Sequence, residues 1–143
     1  NYLMQGHIPQ RIGSLHPNIA PYGEIFHTQD QQSITFAIGS NTHFKKLVSL
    51  LHMPELANDA HFKTNMLRVK NRHKLQPLLQ QSIGEMSCAS LLDALIEQNV
   101  PVAQIKNLDT VFNDAQAQAL VKTEEVNGQH TKRVSQIAFK FEQ

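Results

Sequence analysis

The apolar period of this chain changes abruptly between residues 33 and 51. In "SITFAIG" (33–39), Ile34, Phe36 and Ile38 alternate with Thr35, Ala37 and Gly39, the period-two pattern of a strand with one buried face. Directly afterwards Phe44, Leu47, Val48 and Leu51 fall at i, i+3, i+4 and i+7, which lines them up as one stripe on a helix. Asn41 or Thr42 stands where its cap is expected. A strand is thus followed directly by a helix, and an α+β pattern is in view.

The flanking sequence extends the same reading. "NYLMQG" reads as the last turn of a helix stopped by Gly6, and the proline-rich "RIGSLHPNIAPY" (11–22) is extended, because each X-Pro pair disfavours helix at the preceding residue. "YGEIFHT" (22–28) pairs with 33–39 through "QDQQ", a hairpin without the usual Asn-Gly or Asp-Gly turn. After the first helix, Pro54 permits a short helical turn through Leu56 and Ala57, and Asp59 is a second cap candidate. A polar helix is expected from about Asn65 to Gln81, with Leu75, Leu78 and Leu79 on one side and a kink or interruption at Pro77. Ser87 caps the next helix, whose buried face is Leu91, Leu92, Leu95 and Ile96.

"NVP" ends that helix and "VAQI" (102–105) forms a short strand. Asn107 or Asp109 starts a small helix containing Val111 and Phe112, and Asp114 starts another. "ALVKTEEV" (119–126) and "KRVSQIAFKF" (132–141) read as closing strands joined at Asn127-Gly128. The expected class is therefore α+β: a small antiparallel or mixed sheet built from N- and C-terminal strands, with a helical middle.

Composition narrows the partners. A hydrophobic fraction of 41% and a charged fraction of 17% describe a globular domain rather than a disordered one. With a net charge of +1, the densest basic spots are "FKKL" and "HTKRV", neither interleaved with aromatics, which argues against a nucleic-acid surface. No apolar run approaches the roughly 20 residues of a membrane span, and the opening residues lack the basic start and apolar core of a signal peptide. The single cysteine, Cys88, excludes an intrachain disulfide and fits a reducing, cytoplasmic setting.

Catalytic constellations are scarce. The eight histidines show no metal-ligand spacing, and His43 and His52 fall on nearly opposite sides of one helix, so no metal site is expected. Cys88 follows a cap, where a helix N-terminus can lower a thiol pKa, but "MSCASLL" reads better as the first turn of an amphipathic helix with a half-buried thiol. Ser14 lacks the strand–turn–helix setting of a nucleophile elbow. Glu124-Glu125 lie on opposite faces of a strand, and no phosphate loop occurs. "RVKNR" places Arg68 and Arg72 four residues apart, able to grip an anion bidentately or, the better reading, to dock on a neighbouring acidic group or cap a turn.

At "RIGSLHPNIAPY" the sequence resembles a known family, the family III CoA-transferases, or CaiB/BaiF group, which includes formyl-CoA transferase. The segment is similar to that family's Arg-x-Gly-Asn-x-His-Pro-Asn-x-Ala-Pro-Tyr. Residues 37–75, with "PELA", the "DAHF" step and "RVKNR", follow the family's next strand, helix, turn and helix in order. "NVPVAQIKNLDTVFNDAQAQA" matches its Gly-Val-Pro strand and the helix beyond. The resemblance implies an enzyme that moves CoA between carboxylic acids through anhydride and thioester intermediates on one aspartate. It places that aspartate in a preceding Rossmann-like domain, and makes two subunits interlock as a homodimer.

On that resemblance residues 1–21 are a helix end and a Gly/Pro segment on the substrate side, and 22–143 are the small α+β domain. The piece would be inactive alone, since none of Asp30, Asp59, Asp93, Asp109 or Asp114 matches the motif of the catalytic aspartate. No cofactor is implied; the CoA thioester is substrate. The resemblance further implies that Gly13, Ser14, His16 and Asn18 line the acyl-CoA site, with Pro17 and Pro21 stiffening the approach to the hairpin. Glycine permits close backbone approach, and its N–H can face an oxyanion. Ser14 stands where the family usually has Asn, and Gln31-Gln32 replace an Asp-Gly. Related α-methylacyl-CoA racemases carry a glutamate where this chain has Asn41, which cannot exchange a proton as a carboxylate does. A racemase fragment is thus the lesser enzyme reading, and a non-catalytic interaction module is the alternative of another class. A piece of a larger enzyme is expected to expose apolar surface and to bind CoA weakly by itself.

Overall fold

The chain opens with one helical turn, α1 (Tyr2–Gln5), that stops where glycine permits a left-handed residue. Gly6 has φ +65° and donates its N–H to Tyr2 O at 2.8 Å. The structure is a computed structural model and describes residues 2–6, 8 and 10–134 of the 143. It divides into two units, residues 1–105 and 106–143.

In the first unit, β1 (Tyr22–His27) and β2 (Ser33–Ala37) form the expected hairpin, and β3 (Val102–Ile105) joins β2, giving an antiparallel sheet in the order β1-β2-β3. Ile25, Thr35 and Ala103 lie abreast on one face; Phe26, Ile34 and Gln104 form the next row. The hairpin turn does without glycine because Gln31 takes a φ of +57°. Thr28 and Asp30 brace it, the Thr28 hydroxyl donating to Asp30 Oδ1 at 2.6 Å.

The period-3.6 stripe folds as expected into α2 (Asn41–Leu50), burying Phe44, Leu47 and Val48, with Leu51 just beyond its end. Its cap is Ser40, whose Oγ accepts from His43 N–H at 3.0 Å, rather than Asn41 or Thr42. Asn41 is spent elsewhere, its side-chain oxygen accepting from Arg68. Pro54–Ala57 make a 3₁₀ turn, and Asp59 Oδ1 accepts from His61 N–H at 2.7 Å.

The helix expected through 65–81 is two: α3 (Asn65–Lys70), capped by Thr64, and α4 (Arg72–Ile83). The break falls at Asn71, not at Pro77. Asn71 Nδ2 donates to His61 O and Leu67 O, an alternative to helical backbone bonding that this residue type readily offers. Pro77 sits inside α4 on its exposed side, where the carbonyl it leaves unpaired faces water. Leu75, Leu79 and Ile83 are buried, while Leu78 is half-exposed.

Ser87 caps α5 (Cys88–Glu97) as expected. Its buried stripe is Cys88, Leu91 and Leu95, whereas Ile96 turns outward. The helices cover one face of the sheet and complete a single core with Phe26, Ile34 and Phe36, in which the Phe26 and Phe36 rings lie 5.3 Å apart. On the outer edge of β1, the Gln80 side-chain amide pairs with the His27 backbone in both directions, at 2.8 and 2.9 Å.

The second unit carries α6 (Leu108–Phe112), α7 (Ala115–Gln118), and the ribbon β4 (Val121–Val126) with β5 (Gln129–Val134). Asp114 caps α7. Asn127 and Gly128 both have positive φ, 52° and 76°, as the tight hairpin turn requires. The ribbon is a sheet of its own, so this α+β chain has two small antiparallel sheets; residues 135–141 of the expected closing strand lie outside the described residues. Among the described residues no helix is long and apolar enough to cross a membrane.

Candidate functional site

The Gly/Pro segment runs across the open end of β1 and β2, and α3, α4 and β1 hold it by its backbone. Asn65 straddles it, donating from Nδ2 to Asn18 O at 2.8 Å and accepting the Ala20 N–H on Oδ1 at 3.1 Å. Arg68 Nε donates to Ala20 O at 2.8 Å. One nitrogen of the Arg72 guanidinium donates to His16 O at 2.6 Å and to Ile19 O. Its Nε lies 2.9 Å from Glu24 Oε1, while the other Glu24 oxygen accepts the Tyr22 N–H. Pro21 closes the segment after a cis peptide, its carbonyl accepting the Ile38 N–H.

The four residues singled out in sequence lie together on this strip, and their side chains are used differently. Gly13 has φ +69° with open space around a notional Cβ, so its requirement is conformational. The Ser14 hydroxyl donates to Gly23 O at 2.6 Å, a short tether between the segment and β1. His16 Nδ1 accepts the Asn18 N–H at 3.1 Å, so the neutral ring carries its proton on Nε2, and the ring lies 5.0 Å from that of Tyr22. Asn18 is exposed. Sequence reasoning missed Gly23, where φ is +83° and an added Cβ would collide with the Ser14 carbonyl. It also passed over Asn65 and Glu24. A glutamate at an inward register beside Phe26 was the available signal for the latter.

Two buried charges set the electrostatics. Arg68 is fully buried over the Phe44 ring, 4.4 Å from its centroid, and donates to Asn41 Oδ1 and Phe62 O as well as Ala20 O. Burial pushes its pKa down to about 10, which leaves it charged at neutral pH. Burial also raises the Glu24 pKa, against its own and the Tyr22 backbone N–H and the Arg72 charge, which lower it. Arg68 and Arg72 are thus internal clamps rather than an anion grip. Cys88 is buried, and its thiol is raised by that burial and then by Asp30, whose carboxylate accepts the Cys88 N–H at 2.9 Å. It is not an activated nucleophile.

Beside the segment, the sheet face turned away from the helices forms a hollow of about 430 Å³. Ser14 and Gly23 stand at one side; Tyr22, Ile25, Ala37 and Ile105 contribute apolar surface. Tyr22, Ile25 and Ile105 are each about two-fifths exposed, the apolar surface expected from sequence. Among the described residues no three His, Cys, Asp or Glu side chains gather as a metal set.

Comparison with known proteins defines the class. The sequence profile described as CoA-transferase family III matches residues 1–143, and the chain belongs to that family. It is 33% identical over 119 residues to the succinate–glutarate CoA-transferase of Agrobacterium fabrum, covering 83% of this chain and 29% of that protein. It is 34% identical over 116 residues to the succinyl-CoA:glutarate CoA-transferase of Mus musculus, covering 81% and 26%. A CaiB/BaiF family protein from Brucella suis superposes with a TM-score of 0.81 at 34% identity, over 98% of this chain and 36% of that one. The chain therefore spans under a third of the length of these curated relatives.

Proposed function

We propose that these residues form the small domain of an enzyme that transfers CoA between carboxylic acids, with Gly13, Ser14, His16 and Asn18 forming one wall of the acyl-CoA site. The observation that carries the reading is the family match along the whole chain, although the chain spans under a third of its relatives. None of Asp30, Asp59, Asp93, Asp109 and Asp114 stands in the motif that the resemblance gives the catalytic aspartate, Asp30 being committed to a turn and a helix start. The reacting aspartate is accordingly assigned to a preceding Rossmann-like domain, in a cytoplasmic enzyme built as an interlocked homodimer.

In such a reaction the aspartate carboxylate attacks the thioester carbonyl, and the CoA thiolate leaves as a mixed anhydride forms. The thiolate then attacks the aspartyl carbonyl of that anhydride, releasing the donor carboxylate and leaving an aspartyl-CoA thioester. The acceptor carboxylate attacks this thioester and expels the thiolate as a second anhydride forms, and the thiolate finally takes the acceptor acyl group, regenerating the aspartate. Gly13, held at φ +69° with open space beside it, brings backbone N–H groups close to the oxyanion without a side chain intervening. A racemase reading fares less well, because Asn41 stands at the glutamate position and its amide oxygen is occupied by Arg68.

The test uses the complete protein carrying this sequence, with succinyl-CoA as donor and glutarate as acceptor, the pair suggested by the relatives' names. Chromatography of the thioesters should show transfer. Gly13→Val should lower kcat/KM by about tenfold or more, while residues 1–143 alone should show no turnover. Turnover by the 143-residue chain, or full activity of Gly13→Val, would overturn the assignment.

A further inference from the structure

We infer that Arg72 is the positioning residue of the acyl-CoA wall, acting through the His16 and Ile19 carbonyls, whereas Arg68 is a folding residue. The inference rests on the reading of residues 13–18 as that wall. The two arginines are four apart and look equivalent in sequence, but their partners separate them.

Arg68 is fully buried and ties together Ala20, Gly39, Asn41 at the start of α2, Phe62 and the Phe44 ring. Removing it disturbs five places at once. Among the described residues, the polar partners of the Arg72 side chain lie on β1 and the segment. Its Nε lies 2.9 Å from Glu24 Oε1 as an ion pair without an aligned hydrogen bond, and a single terminal nitrogen donates to both His16 O and Ile19 O. Those two carbonyls bracket Pro17 and Asn18, so the guanidinium determines how far the bend between them can open.

The bend is held elsewhere by His16 Nδ1, which accepts the Asn18 N–H, by Tyr22 O, which accepts the His16 N–H, and by Asn65 Nδ2, which donates to Asn18 O, so Arg72 supplies the two bonds that span it from His16 to Ile19. Lysine cannot replace this arrangement. An ammonium could keep the Glu24 pair, but it has no planar fork to fix the direction of the two remaining bonds.

Three readouts on the complete protein decide the matter: amide hydrogen exchange, thermal melting, and steady-state kinetics with succinyl-CoA. Arg72→Met and Arg72→Lys should both raise exchange at His16 and Asn18 by about tenfold or more, leaving the Val48 and Leu91 amides unchanged. KM for the thioester should rise more than kcat falls. Arg68→Met should instead lower the melting temperature and raise exchange throughout residues 20–95. If Arg72→Met leaves His16 and Asn18 protected, or loosens the core as Arg68→Met does, the positioning role is wrong. If exchange rises locally while KM is unchanged, the clamp stands and the acyl-CoA wall does not.

Discussion

Residues 2–105 and 106–134 differ in what holds them. The first set encloses one continuous apolar core under a three-stranded sheet, with Phe26, Ile34, Leu47, Leu79, Leu91 and Leu95 wholly removed from water. In the second, no residue through 134 is buried. Its ribbon is shaped by turn chemistry at Asn127-Gly128, by cross-strand pairing, and by contacts such as Arg133 Nε to Glu124 Oε1 at 2.7 Å. Hydrophobic burial dominates the stability of a domain, while a two-stranded ribbon is marginal in water and an exposed ion pair adds little. Well-defined backbone geometry is thus no measure of stability, and the two units should answer differently to the same kind of substitution.

The largest contrast should come from truncating apolar side chains. Phe26→Ala is expected to cost about 3–5 kcal/mol in denaturant unfolding, and Val126→Ala, with its side chain about half exposed, within about 0.5 kcal/mol. Comparable losses at both sites would remove the distinction. Next in size is Gly23→Ala, which combines a left-handed φ with a collision against the Ser14 carbonyl. A loss of about 1–3 kcal/mol is expected, with NMR shifts concentrated at residues 13–16. Gly128→Ala lacks the collision and should cost about 1–2 kcal/mol, seen as fraying of the β4–β5 amides while those of β1–β3 are unchanged.

The smallest effect is one of pH, at the link between the hairpin turn and α5. The Thr28 hydroxyl and then the Cys88 N–H hold the Asp30 carboxylate below its ordinary value of 3.8. The unfolded chain therefore binds that proton more readily than the folded one. The stability Asp30 contributes is present above 3.8 and is lost as the pH falls through the depressed folded value. Asp30→Asn should flatten the acid limb of the melting-temperature profile by lowering the melting temperature slightly above pH 3.8, while leaving its acid end nearly unchanged. An identical acid limb in both proteins would sink this account.

How much the sequence disclosed follows the same division. Where burial sets a period, as in residues 33–51 and at Leu91 and Leu95, the elements were legible. So was the Asn127-Gly128 turn, where two positive φ values leave few alternatives. The misplaced features depend on competition between side chains. Ser40 caps α2 while Asn41 is taken by Arg68, and Asn71 interrupts the helical run because its amide can stand in for a backbone donor while Pro77 faces water. The candidate site divides likewise. The Gly13–Asn18 strip stood out in composition, but its supports come from residues 24, 65, 68 and 72, whose convergence only the fold reveals.

The Gln80 amide on β1 has a consequence for assembly. By offering one donor and one acceptor to the His27 backbone, it occupies with a side chain the place a fourth strand would take. At that point a foreign strand must first evict a bonded glutamine, so β1 is a poor template for the edge-to-edge stacking from which fibrils grow.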